Sequence, residues 1–119
     1  MTINGKNVLL LTLKKEWFQM ILSGEKKQEY RTIKPYWIKR LAAAYNSHYT
    51  GLVGEDYEKK YFFKHFDYIK FENGYGSKVP SMLIEFKSIE IGQGNPEWGG
   101  TKEEVFILNL GEIIEIKNC

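Results

Sequence analysis

The stretch that decides the fold is LLLTLKKEWFQMILSGEKKQEYR, residues 9–31. It opens on a short apolar run, and with Val8 in front the segment VLLLTL at 8–13 is consistent with a buried strand. The period then changes. In KKEWFQMILS, residues 14–23, Trp17, Met20 and Ile21 recur at i, i+3 and i+4, while Leu13 and Phe18 widen the stripe, as one face of an amphipathic helix requires. Gly24 follows the last periodic residue, where a helix most readily ends in left-handed backbone. KKQEYRTI, residues 26–33, leaves that turn as a second strand. Side chains alternate along a strand, so Lys27, Glu29 and Arg31 share one face and Gln28 and Tyr30 the other. Glu29 and Arg31 are then near neighbours, a carboxylate and a guanidinium able to pair and orient each other. Lys26 sits at the turn itself, pointing into whatever cleft the turn borders.

Beyond this stretch, Pro35 opens a second helix, PYWIKRLAAAY at 35–45, with proline in the first turn and good helix formers behind it. NSHYTGLVGEDYEKK, residues 46–60, is polar, broken by glycines and the least structured part of the chain. From Tyr61 the character becomes β: YFFKHFDYIKFE at 61–72 is dense in aromatic and β-branched residues, and NGYG at 73–76 signals a turn. VPSMLIEFKSIEI, residues 79–91, forms a long strand with Met82, Ile84 and Phe86 on one face and Leu83, Glu85 and Lys87 on the other. Beyond Lys87 the apolar face passes to Ile89 and Ile91, which suggests a bulge or a barrel corner. GQGNPEWGG at 92–100 is a loop, and VFILNL and IIEIK within 105–117 are the last strands, divided by Gly111. The order strand, helix, strand, helix, then several strands, without repeat or linker, predicts a single α+β domain over residues 1–119. Its architecture is expected to be a small mixed β-barrel with flanking helices.

Composition narrows the function classes. A 119-residue chain is one domain's worth of core. A net charge of +2 does not mark a nucleic-acid binder by its overall field, so any basic patch must be local. With one cysteine, Cys119, there is no intrachain disulfide, and a reducing compartment is the default. VLLLTL is too short for a signal-peptide core, and no run approaches the roughly 20 apolar residues of a membrane span. These features predict a soluble cytoplasmic protein without a membrane partner. His48 and His65 lie far apart and Cys119 is terminal, so no metal-ligand spacing exists. There is no P-loop, no G-x-G-x-x-G and no Ser-His-Asp order either, and no cofactor is expected.

Gly24, Lys26, Glu29 and Arg31 spell G-x-K-x-x-E-x-R, the pattern of the ASCH family, whose domain resembles the PUA fold. The chain resembles that family in context too. LLLTLKKEWFQMILSG supplies the apolar strand and short helix that precede the motif there. FENGYGSKVPSMLIEF, and NPEWGG through FILNLGEII, resemble more loosely its strand-rich half. The resemblance implies a PUA-like barrel with a cleft lined by the motif, and binding of RNA or of a nucleotide or nucleoside. Some members of the family cleave RNA. A small bacterial branch hydrolyses the acetyl amide of N4-acetylcytidine and resembles G-x-K-x-x-T-x-R, with the threonine proposed as nucleophile and the lysine as its activator. Here Glu29 stands where that branch has threonine, and the adjacent Thr32 alternates to the other strand face.

The candidate site residues each carry two readings. Lys26 either neutralises a phosphate or activates a reacting group, or is solvated surface beside a glycine turn. Arg31 and Glu29 either hold a ligand, the guanidinium on a phosphate or carbonyl and the carboxylate on a proton or base N–H, or form a structural ion pair. Tyr75 and Trp98, on glycine-flanked loops, either stack on bases or cap the barrel end. Tyr30 reads as core. Glu85, on a strand otherwise apolar around it, is a second candidate acid, or is paired across the sheet with a lysine. Lys34, Lys39 and Arg40 with Lys26 and Lys27 either make a local basic patch or a solvated helix face. Three functions follow: recognition of RNA or a nucleotide, hydrolysis in the same cleft with Lys26 and Glu29 as catalytic residues, or a protein-interaction module whose motif is purely structural.

Overall fold

The computed structural model describes residues 2–45 and 61–119. The stretch expected to be an irregular loop at 46–60, with His48, lies outside them. The chain begins with a hairpin. β1 (Thr2–Ile3) pairs antiparallel with β2 (Lys6–Thr12), in the register Thr2↔Asn7 and Ile3↔Lys6. Asn4 and Gly5 form its turn, at φ of 51° and 77°, because both central positions of such a turn need positive φ and asparagine and glycine adopt it at least cost. The structure adds this hairpin to the sequence reading, although its Asn-Gly signal is plain in the chain.

α1 (Lys15–Leu22) follows β2 and buries Phe18 and Ile21. Full burial of such side chains contributes about 1.5–3 kcal/mol each. β3 (Gln28–Thr32) is shorter than the expected strand, because the chain is still turning at Lys26 and Lys27. α2 (Pro35–Leu41) ends before the alanines. Ala42 has extended backbone, φ −98° and ψ 134°, and Ala42–Tyr45 is a strand, β4, antiparallel to β5 (Tyr61–Phe63). The expectation of a helix through 35–45 is corrected here. The helix preference of alanine over other residues amounts to a fraction of a kcal/mol per position, and pairing with the aromatic strand outweighs it.

β6 (Tyr68–Glu72) lies parallel to β2, in the register Val8↔Tyr68 to Thr12↔Glu72, and antiparallel to β7 (Ser81–Gln93). β8 (Glu104–Lys117) completes a mixed six-stranded sheet in the order β1-β2-β6-β7-β8-β3. β8 is continuous through Gly111, which does not divide it as expected. A single 3-10 turn, Pro96–Trp98, interrupts the loop before it. The chain is thus α+β, with one mixed sheet, a small second sheet and two α-helices among the described residues. Neither helix is long and apolar enough to cross a membrane.

The chain divides into two compact units. Unit 1 comprises residues 1–29, 66–88 and 108–119, and unit 2 comprises 30–65 and 89–107. Unit 1 carries Val8, Leu9, Leu11, Leu13, Phe18, Ile21, Ile69, Phe71, Met82, Ile84, Leu108 and Leu110 as buried apolar side chains. In β7, Met82 and Ile84 are buried while Lys87 and Ser88 are exposed, and the chain passes from unit 1 to unit 2 after Ser88. Beyond Lys87 the residues Ile89, Glu90 and Ile91 are all half-buried, so the expected passage of the apolar face to Ile89 and Ile91 is not seen. Unit 2 buries Leu41, Val105, Phe106 and Ile107, with Tyr61 and Phe63 packed around Phe106 at ring separations of 6.3 and 5.9 Å. Tyr30 belongs here as a structural residue. Its hydroxyl accepts the N–H of Asn95 at 2.8 Å, and a Cβ on Gly94 would come within 2.7 Å of its ring.

Candidate functional site

The motif begins at the end of α1. Ser23 donates its backbone N–H to Gln19 and Gly24 to Ile21, each at 3.0 Å, while Lys26 reaches back to the Met20 carbonyl at 2.9 Å. Gly24 makes this wrap possible with φ of 85° and open space around its Cα, a conformation that costs other residues about 1–2 kcal/mol. The wrap folds Lys26 inward, leaving it 3% exposed. Lys26 Nζ donates to Glu29 Oε1 at 2.8 Å, and the ammonium lies 4.4 Å from the centre of the Trp17 ring. Glu29 is also 3% exposed. A carboxylate on one side and an indole face on another give the ammonium part of what it loses by leaving water.

Beside the pair lies an open cleft of about 280 Å³ within unit 1. Ile21, Gly24, Lys26 and Lys27 form one wall, and Leu110 to Ile113 of β8 the other. The walls are tied where Leu110 N–H donates to the Lys27 carbonyl at 3.1 Å, and Gln28 Nε2 donates to Asn109 Oδ1 at 2.8 Å. Apolar Ile21, Ile84, Leu110 and Ile113 share the lining with the charged Lys27 and Glu112, a combination able to take a flat ring and fix its polar edge.

The structure brings together Gly24, Lys26 and Glu29 of the expected site and redistributes the rest. Glu29 pairs with Lys26, where the sequence pointed to Arg31. Alternation along a strand could not show the turn that carries Lys26 inward. Arg31 belongs to unit 2, where its Nη1 donates to the Tyr30 carbonyl at 2.9 Å and its guanidinium lies 5.0 Å from the Trp37 ring centre. Lys26, being buried, is no part of a surface patch, whereas Lys27 is exposed. Glu85 is half-buried, and its Oε1 accepts the backbone N–H of Glu112 at 3.0 Å. The expected lysine partner is replaced by a main-chain amide. Tyr75 is 88% exposed on the turn between β6 and β7, away from the cleft lining. Trp98 is half-buried in unit 2. Sequence reasoning missed Trp17 as a partner of the motif, since its place in the apolar stripe made it look like ordinary core. It also missed the β8 wall, whose mark was Gly111 facing Glu85.

No family model, curated protein or solved structure matches this chain.

Proposed function

We propose that the chain is an ASCH-type domain of PUA-like barrel architecture that binds RNA or a nucleotide, with one base or nucleoside seated in the cleft of unit 1. The observation that carries this reading is the buried Lys26–Glu29 pair under Trp17, formed by the motif itself and bordering an open cleft. Buried ion pairs give little net stability compared with well-packed apolar residues. A pair placed where a helix end, a strand start and a cleft wall meet fits a role in holding that wall in shape. The cleft, at about 280 Å³, is at the lower end of small-molecule sites, which suits a single base rather than an extended ligand. The mixed sheet and the two helices support the barrel reading, and the lone Cys119 supports a reducing, cytoplasmic setting.

Binding is favoured over hydrolysis because both side chains of the pair are nearly sealed, at 2% and 4% exposure. A catalytic acid or base has to reach the reacting atom within hydrogen-bond distance. In this reading Lys26 and Glu29 shape the cleft, and the exposed Lys27 meets the ligand's negative charge.

The test is titration with RNA oligomers and with free and modified nucleosides, followed by Trp fluorescence and amide NMR, with product analysis alongside. Shifts confined to residues 24–27 and 110–113, weakened by Lys27→Glu and without turnover, support the reading. Turnover abolished by Glu29→Gln would instead establish the hydrolase. An unchanged spectrum with every ligand would leave the motif a purely structural device.

A further inference from the structure

Within unit 1, the last part of β8 is an open sheet edge. β8 is fourteen residues long, and its neighbour β3 is five. The two run antiparallel: Lys27 and Gln28 meet Leu110 and Asn109, and from Tyr30 onward β3 belongs with residues 89–107 to unit 2. β3 therefore covers β8 only below Gly111. Upstream of Lys27 the chain turns back toward α1 instead of following β8, as the bond from the Lys26 N–H to the Met20 carbonyl shows. Among the described residues, no strand lies beside 112–117, EIIEIK, on this side.

The edge keeps a regular alternation. Gly111 faces Glu85, and Glu115 and Lys117 border a small pocket with Ser81 and Leu83, so the odd positions share one face. Leu110 lines the cleft on the opposite face with Ile21 and Ile84, and Ile114 and Ile116 follow it there by alternation. They are 53% and 50% exposed. The main chain alternates as well. Leu110 directs its N–H at β3, so Glu112, Ile114 and Ile116 present N–H and C=O to that same side. Glu85 Oε1 accepts the Glu112 N–H at 3.0 Å, and the groups of Ile114 and Ile116 face outward beyond it. Edges are commonly guarded by a proline, a bulge or a central lysine. This one has no proline, and its single lysine stands at the end.

A row of this kind is a template for another strand, and the sequence of the edge matches itself. With two copies antiparallel about a two-fold axis at Glu115, Ile114 lies opposite Ile116 of the second copy, and Ile116 opposite its Ile114. These are the residues with outward N–H and C=O, so each opposed pair exchanges both main-chain hydrogen bonds. The isoleucines of both copies gather on one face. On the other, each Glu115 lies 3.3 Å from its own Lys117 and gains the second copy's Lys117 on the diagonal, which offsets the opposition of the two carboxylates. Other registers lose one of these matches. A slip of one residue sets Ile114 opposite Glu115 or Lys117. An axis at Ile114 sets Glu112 against Ile116, and an axis at Ile116 sets Ile114 against Asn118. We propose that the chain forms a two-fold dimer by antiparallel pairing of residues 112–117, which continues the sheet from one copy into the next. The paired segment is short, which places the dimer in the weak, concentration-dependent class.

The test follows the full chain by sedimentation velocity from micromolar to millimolar concentration, with hydrogen exchange alongside. A monomer–dimer equilibrium should appear. The amides of Ile114 and Ile116 should exchange more slowly as concentration rises, while that of Glu115, directed at β7, should not change. Ile116→Pro removes an outward N–H that the monomer does not use, as an edge strand tolerates. It should raise the dimer Kd by about fivefold to a hundredfold, the worth of one hydrogen bond lost from each copy. Ile114→Lys puts ammoniums into the isoleucine cluster and should abolish the dimer. Glu115→Lys should abolish it too by gathering like charges on the other face, and adding Lys117→Glu should restore it. Circular dichroism of the dilute monomers should be unchanged. The exposed Ile114 keeps the test open if the proline variant fails to fold. A chain monomeric at millimolar concentration, a dimer indifferent to Ile114→Lys, or protection that rises with concentration elsewhere but not at Ile114 and Ile116 would each overturn the proposal.

Discussion

Lys26 and Glu29 form a direct ion pair, Nζ to Oε1 at 2.8 Å, with both side chains almost completely removed from water. Truncating one partner leaves the other charge buried, which costs about 3–5 kcal/mol in such settings. Lys26→Met and Glu29→Gln should each lower the urea midpoint strongly. The double variant should be more stable than the sum of the single losses predicts, because it leaves no orphaned charge. A double-mutant cycle by chemical denaturation measures this coupling, and strictly additive losses would contradict it.

Gly111 and Glu85 make a second close relationship. A Cβ on Gly111 would lie 2.7 Å from the Glu85 Cβ, and the Glu85 carboxylate holds the neighbouring amide of Glu112. Gly111→Ala should destabilise the fold by about 1–3 kcal/mol through overpacking. Adding Glu85→Ala does not remove the Glu85 Cβ, so it should recover little. Adding Glu85→Gly should recover more, and comparing the melting of the two double variants separates backbone crowding from loss of the carboxylate.

Gly24→Ala isolates backbone strain, since nothing lies within 4 Å of the added methyl and only the φ of 85° opposes it. The expected loss is about 1–2 kcal/mol. Gly24→Asn should lose less, because asparagine tolerates left-handed backbone. Equal stability of all three chains, measured by denaturant midpoint, would mean that the turn into the motif is not strained.

The alanine strand gives a prediction whose sign depends on structure. Ala44 is exposed and faces Phe62 across the β4–β5 pair. Ala44→Thr should stabilise by a few tenths to about 1 kcal/mol, since threonine favours strands and alanine does not. In a helix the same change would destabilise. Thermal melting decides between them.

These cases show which parts of the fold were legible in the sequence. The 3.6-residue period of α1 and the glycine behind it specify a local event, so helix and stop could be read from neighbouring residues. Alternation in β7 was legible for the same reason: Met82 and Ile84 are buried while Leu83 is only half-buried. Ala42–Tyr45 was not legible as strand, because its partner begins at Tyr61 and pairing at that distance leaves no local mark. Lys26 and Glu29 were each legible as site candidates, but their pairing and burial depend on a turn reaching back to Met20 and on the Trp17 ring. The β8 wall of the cleft comes from far along the chain, and only Gly111 hinted at close approach.

Unit 1 is assembled from three separate stretches of chain, and this governs the order in which its cleft is made. Residues 21–27 are synthesised long before the facing wall at 110–113. No contiguous fragment shorter than residues 21–113 contains both walls. Folding that waits on pairings so distant in sequence belongs to the slower class of small domains, on the millisecond-to-second scale. A nascent chain halted before residue 110 therefore carries the whole motif and lacks the cleft.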